Sequence, residues 1–337
     1  MVFPITQLPY LPLKQVLRGI DVAIQIDLSF AAENVRDALS SLQKPSIETV
    51  VRFSPGIMDI VMTIAENDNS TVEVQLKMDR VIRNRTHIVL YGNKIYMTRT
   101  RNVLKFQREK TIEKNYEYLN LLLAHLDKTF KLSGLSVILE YIDTSGFLFK
   151  NWNSFEYVRI FNQDLSPELG WFFFKNIQTK ELVFSTTSVQ TPNGPHNFPL
   201  THQVIQLDSC HWITFDSILN MECQRFSVGK GDKGNMQVTD IVNFVHSWSN
   251  GGLNNLVNCE IDLPRLWIAQ DLSYEYAKAI FNKLVSMGVQ TSSSRAGDLK
   301  KEVVRSDKKV ALLTINTIFK FKLLPPTSTN DSPAPAP

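Results

Sequence analysis

The sequence predicts a mixed fold of the α+β / α/β class: a small helical module, an antiparallel β-meander, and strand–helix units that end in a β-hairpin. Three patterns predict it. Apolar residues recur at a helical period before residue 43, and at a period of two between Ile47 and Phe106. Short strand and helix patterns then alternate from about residue 136 to 263.

The composition excludes several classes of protein. A hydrophobic fraction of 43% is enough for a buried core, and 36 Lys and Arg against 33 Asp and Glu leave a net charge of only +3. We therefore expect no nucleic-acid partner. Three cysteines cannot all pair in disulfides, which favours a reducing compartment. Without a signal peptide or an apolar run of about 18 residues, we expect a cytoplasmic or nuclear protein with no membrane partner.

Residues 1–43 have a helical pattern. Leu13, Val16, Leu17 and Ile20 share one face of a short helix, and Asp21 is placed to cap the next segment. Further apolar residues then follow at steps of three or four: Ile24, Leu28, Ala31, Val35, Leu39 and Leu42. Either one bent helix or two helices with a break near Ser29 would fit this spacing.

Residues 44–134 are predicted to form a β-meander followed by a helix. Val72, Val74, Leu76 and Met78 alternate with polar residues, which is typical of a half-buried strand. Turn residues divide the stretch into about five strands. The segment from Thr111 to Phe130 then has a helical period.

Residues 135–268 are predicted to form a repeat-like α/β block. The predicted strands are 136–141, 155–161, 181–185, 203–208, 224–228 and 256–263. Ser166, Thr214 and Thr239 are the expected caps of the helices between them.

One unit of this block has a recognisable motif, Ile205-x-Leu207-x-x-Cys210-x-x-Ile213-Thr214. It resembles the strand half of a leucine-rich repeat, in which alternating apolar residues point into the stack and a Cys or Asn satisfies backbone groups at the turn. A helix and a hairpin are predicted over 269–324, and the Pro-rich segment 325–337 is expected to be a disordered tail.

Motifs for chemistry are missing. Gly229 and Gly234 have the spacing of a phosphate-binding loop, but Asn235 and Met236 stand where Lys and Ser or Thr belong. The cysteines and histidines lack the close spacing of zinc ligands. We therefore predict no catalytic, cofactor-binding or metal-binding residues and no cofactor. An enzyme whose site is assembled only by folding stays an alternative.

Two regions carry a family resemblance. The opening Phe3-Pro4-x-x-x-Leu8-Pro9, followed by aliphatic residues at helical spacing, resembles an F-box. Residues 208–262 look like the type 2 F-box associated region of the large nematode-type family, whose core would cover about 200–263. The matching segments are Ser209-x-x-Trp212-Ile213-Thr214, Ile218-Leu219, Cys223 to Val228, the helix with Asn243-Phe244, Gly251-Gly252 and the strand from Leu256.

The resemblance implies the substrate-receptor subunit of a Skp1–cullin–F-box ubiquitin ligase. The F-box would dock on the Skp1-like adaptor, and through it on cullin, while the C-terminal region would bind an unknown target protein. The implied adaptor-binding residues are Phe3, Pro4, Leu8, Pro9, Leu11, Leu13, Val16, Leu17 and Ile20. Since Ala31-Ala32-Glu33-Asn34 stands where F-boxes carry basic residues or Trp, an interaction or scaffold protein with a decayed F-box is the alternative.

Overall fold

A computed structural model describes most of the chain. The described residues are 5–42, 47–53, 58–67, 70–80, 82, 86–100, 103–130, 132, 134–140, 152–189, 194–229, 237–262, 270–292, 299–315 and 318–325. The chain divides into two compact units: Met1–Asn162 with Ile177–Thr179, and Gln163–Asn176 with Lys180–Pro337. Each combines helices with a sheet, which confirms the predicted α+β character.

The first unit begins with a helical module. A 3-10 helix, Ile5–Gln7, precedes α1 (Tyr10–Arg18), α2 (Val22–Ser29) and α3 (Glu33–Ser40), and the longer α4 (Ile112–Phe130) follows the strands. Of the two possibilities that the sequence left open after Asp21, the chain adopts two helices. The break lies just after Ser29, close to the predicted place.

Eight strands form the sheet of the first unit in the described part of the chain. They are β1 (Ile47–Phe53), β2 (Met58–Asn67), β3 (Ser70–Asp79), β4 (Thr86–Leu90), β5 (Asn93–Thr100), β6 (Val103–Gln107), β7 (Gly134–Glu140) and β8 (Ser154–Leu165). Their spatial order is β8-β7-β1-β2-β3-β6-β5-β4.

The predicted antiparallel meander of about five strands needs a correction. Six strands lie between Ile47 and Gln107, and β3 pairs with β6 in parallel. Strand β1 also pairs in parallel with β7. Turn residues report only neighbouring antiparallel pairs, so these two non-local pairings leave no trace in the local pattern.

A buried carboxylate fixes the register between β1 and β2. Asp59 is 1% exposed and accepts hydrogen bonds from Arg52 Nε and Nη2, both at 2.8 Å. Gln75 Nε2 on β3 donates to the same carboxylate at 2.5 Å. Because a buried charge is costly without partners, a shifted register would leave Asp59 unsatisfied.

A buried histidine joins the helical module to α4. His125 is fully buried, stacks on Phe30 with 4.4 Å between ring centroids, and lies with Nε2 2.9 Å from Ser29 Oγ. The Ser29 hydroxyl donates its proton to the Ile26 carbonyl at 2.6 Å, so it accepts from Nε2–H of the histidine. His125 Nδ1 is therefore the acceptor nitrogen, and it is buried with no hydrogen-bond partner.

The second unit has a parallel ladder that continues into antiparallel strands. Its described strands are β9 (Gln178–Val189), β10 (Val204–Leu207), β11 (Arg225–Val228), β12 (Asn258–Asp262), β13 (Gln290–Thr291), β14 (Lys300–Val304), β15 (Val310–Ile315) and β16 (Ile318–Leu323). The order is β9-β10-β11-β12-β16-β15-β14-β13, with parallel pairing from β9 to β12 and antiparallel pairing beyond.

Its helices are α5 (Pro167–Asn176), α6 (Phe215–Leu219), α7 (Val238–Ser249) and α8 (Gln270–Ser286). Thr214 caps α6 as predicted, since its hydroxyl accepts from Ser217 N at 3.2 Å. The predicted cap of α7, Thr239, is wrong. Gln237 caps that helix through a capping box with Asp240, whose carboxylate accepts from Gln237 N at 2.7 Å.

Aromatic rings fill the core of the second unit. Phe244 and Trp248 on α7 meet Phe319 and Phe321 on β16 edge to face, with centroids 5.0–5.8 Å apart. Phe319 and Phe321 are fully buried, so neither ring is accessible to the bases of a nucleic acid. The glycine-rich loop around Gly234 and the predicted disordered tail lie outside the described residues, except for Gly229 and Pro325.

The burial of His125 should make the free energy of unfolding depend on pH. Burial, with smaller contributions from cationic Arg36 and Lys128, lowers the pKa of His125 from 6.5 to about 4. The unfolded chain binds this proton at a higher pH than the folded chain does, so protonation of His125 favours the unfolded state. Above about pH 7 the histidine is neutral in both states, and this destabilisation is absent. The free energy of unfolding should fall as the pH drops from about 6.5 toward 4, by up to about 3 kcal/mol.

Urea unfolding at a series of pH values measures this slope. His125→Gln removes the titrating group and should flatten the slope, while costing stability at neutral pH. His87→Gln, at an exposed histidine, is the matched control and should keep the wild-type slope. An equally steep slope in His125→Gln would contradict the assignment.

Candidate protein-docking surface

Helix α1 is apolar on two sides. Pro9 precedes the helix with φ −57° and accepts from Leu13 N at 2.9 Å. Pro12 lies in the first turn, where the missing N–H costs no hydrogen bond. Both prolines therefore favour the start of the helix. Packing then decides which of its apolar residues are buried.

The inner face of α1 belongs to the core of the first unit. Leu13 and Leu17 are fully buried, as are Ile26 on α2 and Val35 and Leu39 on α3. The prediction that Val16 shares this face is wrong, since Val16 is 41% exposed. Leu13 and Leu17 were both in the predicted adaptor-binding set. In this structure they hold the module together, so they are not available to a partner.

Elsewhere on α1, and on α2, large apolar side chains stand in solvent. Leu11 is 71% exposed, Tyr10 48%, Val16 41% and Ile24 41%. Pro9 is exposed, while Leu8 and Ile20 are half-buried. We call this set the α1–α2 surface; its members are Leu8, Pro9, Tyr10, Leu11, Val16, Ile20 and Ile24.

Most of the predicted adaptor-binding residues that the structure describes lie on this surface. They are Leu8, Pro9, Leu11, Val16 and Ile20, whereas Phe3 and Pro4 lie outside the described residues. Sequence reasoning missed Tyr10 and Ile24. Ile24 was predicted only as one member of the helical period that continues to Leu42, and that period does not say which residues are exposed.

The charge on α1 is positive. Lys14 and Arg18 are its only charged residues, and Lys14 Nζ lies 5.3 Å from the centroid of the Tyr10 ring. The nearby carboxylates of Asp27 and Glu33 are already paired, with Arg99 at 2.6 Å and Arg36 at 2.8 Å. The surface therefore favours an apolar partner face that carries carboxylates.

A pocket of about 320 Å³ lies in the second unit, near the end of β10. Its floor includes the buried Ile213 and Ile218, and Cys210, His211 and Asp240 line it as well. We call it the Cys210 pocket; Pro195, Thr214 and Phe215 complete its lining.

Hydrogen bonds make the walls of this pocket rigid. His196 N donates to Trp212 O at 2.8 Å, and Thr214 N donates to His196 O at 2.9 Å. Ser209 Oγ lies 2.6 Å from His211 Nδ1, but Asp240 is engaged in the cap of α7 and not in a relay with His211.

Other functional classes find no support among the described residues. They contain no group of three or more His, Cys, Asp or Glu that could hold a metal ion. None of the described helices combines the length and apolarity needed to cross a bilayer. The chain matches no protein-family model, no curated protein and no solved structure.

The three cysteines should differ widely in their rates of alkylation, because they differ in burial. Burial raises the pKa of Cys223 to about 12 and the pKa of Cys259 well above its usual value, and both side chains are fully buried. Cys210 is half-buried at the pocket wall. In the native protein iodoacetamide should therefore alkylate Cys210 at least about tenfold faster than the other two.

Peptide mass spectrometry after short exposures gives the three rates. Denatured protein is the control, because all three thiols should then react at similar rates. Faster modification of Cys223 or Cys259 in the native protein would contradict the placement of these residues.

Proposed function

We propose that this protein is the substrate receptor of a Skp1–cullin–F-box ubiquitin ligase. The observation that carries the proposal is the α1–α2 surface: four large apolar side chains stand in solvent on a module whose inner face is already buried. Together with the Phe-Pro and Leu-Pro opening that resembles an F-box, this surface supports docking on a Skp1-like adaptor.

The energetics suit docking. Each large aliphatic side chain contributes roughly 1.5–3 kcal/mol when it becomes fully buried. Several such residues, helped by the positive charge of α1, can offset the several kcal/mol that association costs. Leu13 and Leu17 are excluded from this sum because their burial already stabilises the module.

Target selection is assigned to the second unit. The parallel ladder from β9 to β12 supports a leucine-rich-repeat-like arrangement, since Ile205 and Leu207 face inward on β10 between two parallel neighbours. The Cys210 pocket opens beside this strand, within the region that resembles the F-box associated region. A receptor of this kind needs no active site, because it acts by raising the concentration of target lysines near the ligase.

Replacing an exposed member of the α1–α2 surface should weaken adaptor binding without unfolding the protein. Leu11→Asp and Val16→Asp remove apolar area and place a charge at the interface. We expect each to weaken binding of a purified Skp1-like adaptor by at least about tenfold, as measured by calorimetry or pull-down. Circular dichroism should stay unchanged.

Val285→Asp on α8 is the matched control, because Val285 is also an exposed valine, at 55%. It should bind the adaptor like the wild type. Wild-type affinity in both α1 variants would remove the proposed docking surface. Leu17→Asp is unsuitable as a test because it would disrupt the core of the first unit.

A scaffold protein with a decayed F-box is the second candidate. Arg36 is the only cation between residues 31 and 37, and it is paired with Glu33 at 2.8 Å. The basic group that F-boxes carry here is therefore engaged within the chain.

Purification of the full chain from cells separates the two functions. A receptor should bring down the adaptor and cullin, and Leu11→Asp should lose both together. A scaffold would retain its binding protein and recover no ligase subunit in either form.

A further inference from the structure

Strand β4 is the terminal strand of the first unit's sheet. It pairs with β5 on one side, and within the described ranges no strand pairs with its other edge. The terminal strand of the second unit, β13, is only two residues long. Short edge strands are a common protection against unwanted pairing, and β4, with five residues, lacks it.

The sequence and pairing of β4 give its edge no further protection, and a groove separates it from the helix junction at residues 27–33. Its sequence, Thr-His-Ile-Val-Leu, contains no Lys, acidic residue or Pro. Its register with β5 runs from Thr86 to Leu90 without a bulge. Val89 is 60% exposed, while Ile88 and Leu90 face the core. The strand is regular, apolar and β-branched, which are the properties that let another strand pair with it.

The turn after β4 identifies the backbone groups at the outer edge. Tyr91 and Gly92 have φ of 50° and 82°, as in a two-residue turn of type I′, and Leu90 pairs with Asn93 across it. In such a hairpin the closing pair is hydrogen-bonded and the pairs alternate from there. Leu90, Ile88 and Thr86 therefore bond to β5. The N–H and C=O of His87 and Val89 point to the outer edge.

A groove runs along this edge. It encloses about 590 Å³ and is lined by all five residues of β4. The opposite wall is formed by residues 27–33, from the end of α2 to the start of α3, with Arg36 beside them. Inward and outward residues of β4 both line the groove, so it reaches the edge of the sheet, and Met97 of β5 extends its lining onto the buried face.

The charges in the groove are compensated. Asp27 is paired with Arg99, and Glu33 with Arg36. The groove therefore offers neither a net anion nor a net cation site. The groove does present the backbone N–H and C=O groups of His87 and Val89. These groups can pair with an uncharged, extended backbone.

We infer that β4 binds an extended, uncharged segment of another polypeptide by strand addition. The segment pairs with His87 and Val89 and lies between β4 and the wall formed by residues 27–33. About five residues fit, since β4 spans about 17 Å. Backbone hydrogen bonds supply the affinity, and side chains at alternate positions of the segment contact the groove. This inference does not depend on the ubiquitin-ligase proposal.

A displayed library of random peptides of about seven residues is the probe. Enriched peptides are measured against the full-length protein by fluorescence anisotropy. Val89→Pro removes the outward N–H at a position where an edge strand tolerates proline, although it also fixes φ and changes the side chain, and it should weaken binding by about tenfold or more. Val89→Thr keeps the N–H and the branched side chain, so it is the matched control and should bind like the wild type.

A second measurement uses the unaltered protein. N-methylation at successive peptide positions should abolish binding at every second residue, because alternate N–H groups pair with β4. Binding that tolerates N-methylation everywhere, or that is lost equally at all positions, overturns the inference. So does the absence of any peptide that distinguishes Val89→Thr from Val89→Pro. A dimer of the protein that Val89→Pro dissociates would show the occupant to be a second copy, which also overturns it.

Discussion

The packing of the first unit depends on which apolar residues of α1 enter its core. Leu11 and Leu13 are two residues apart, so their side chains point about 200° apart around the helix. Once Leu13 and Leu17 enter the core with Ile26, Val35 and Leu39, Leu11 must face outward. The stacked and hydrogen-bonded His125 holds this arrangement, because it fastens the end of α2 to α4. Within the described part of the chain, folding therefore leaves Leu11 in solvent.

Elements with a strong local pattern could be predicted from the sequence. The helix predicted from Thr111 to Phe130 is found as α4, and the six strands predicted after residue 135 are found as β7 to β12. The parallel pairings β1–β7 and β3–β6 could not be predicted, because they join segments that are distant in sequence. Gln237 was missed as a cap because its side chain is not among the common capping types, and only the reciprocal bond to Asp240 identifies it.

The candidate surface was predicted as a region but not as a face. Helical spacing places Leu13 and Leu17 on one side of α1 and Leu11 on the other, but spacing alone does not say which side is buried. That choice is made by tertiary packing against α2 and α3. The period from Ile24 to Leu42 likewise did not show which of its residues are exposed; Ile24 is 41% exposed on α2, and the helix ends at Ser29. The groove beside β4 had no signal at all, because it needs a sheet edge and a helix junction together.

The two surfaces of the first unit share a helix. Ile24 of α2 lies on the α1–α2 surface, and Asp27 of the same helix lies on the wall of the groove, where its ion pair with Arg99 ties it to β5. Partners bound at both places would therefore be held at a fixed spacing and orientation, since no linker separates the sites. Rigid presentation of this kind increases the effective concentration of one bound group near another more than a flexible connection does. The constraint that leaves one face of α1 exposed thus also sets the position of anything captured at the edge of β4.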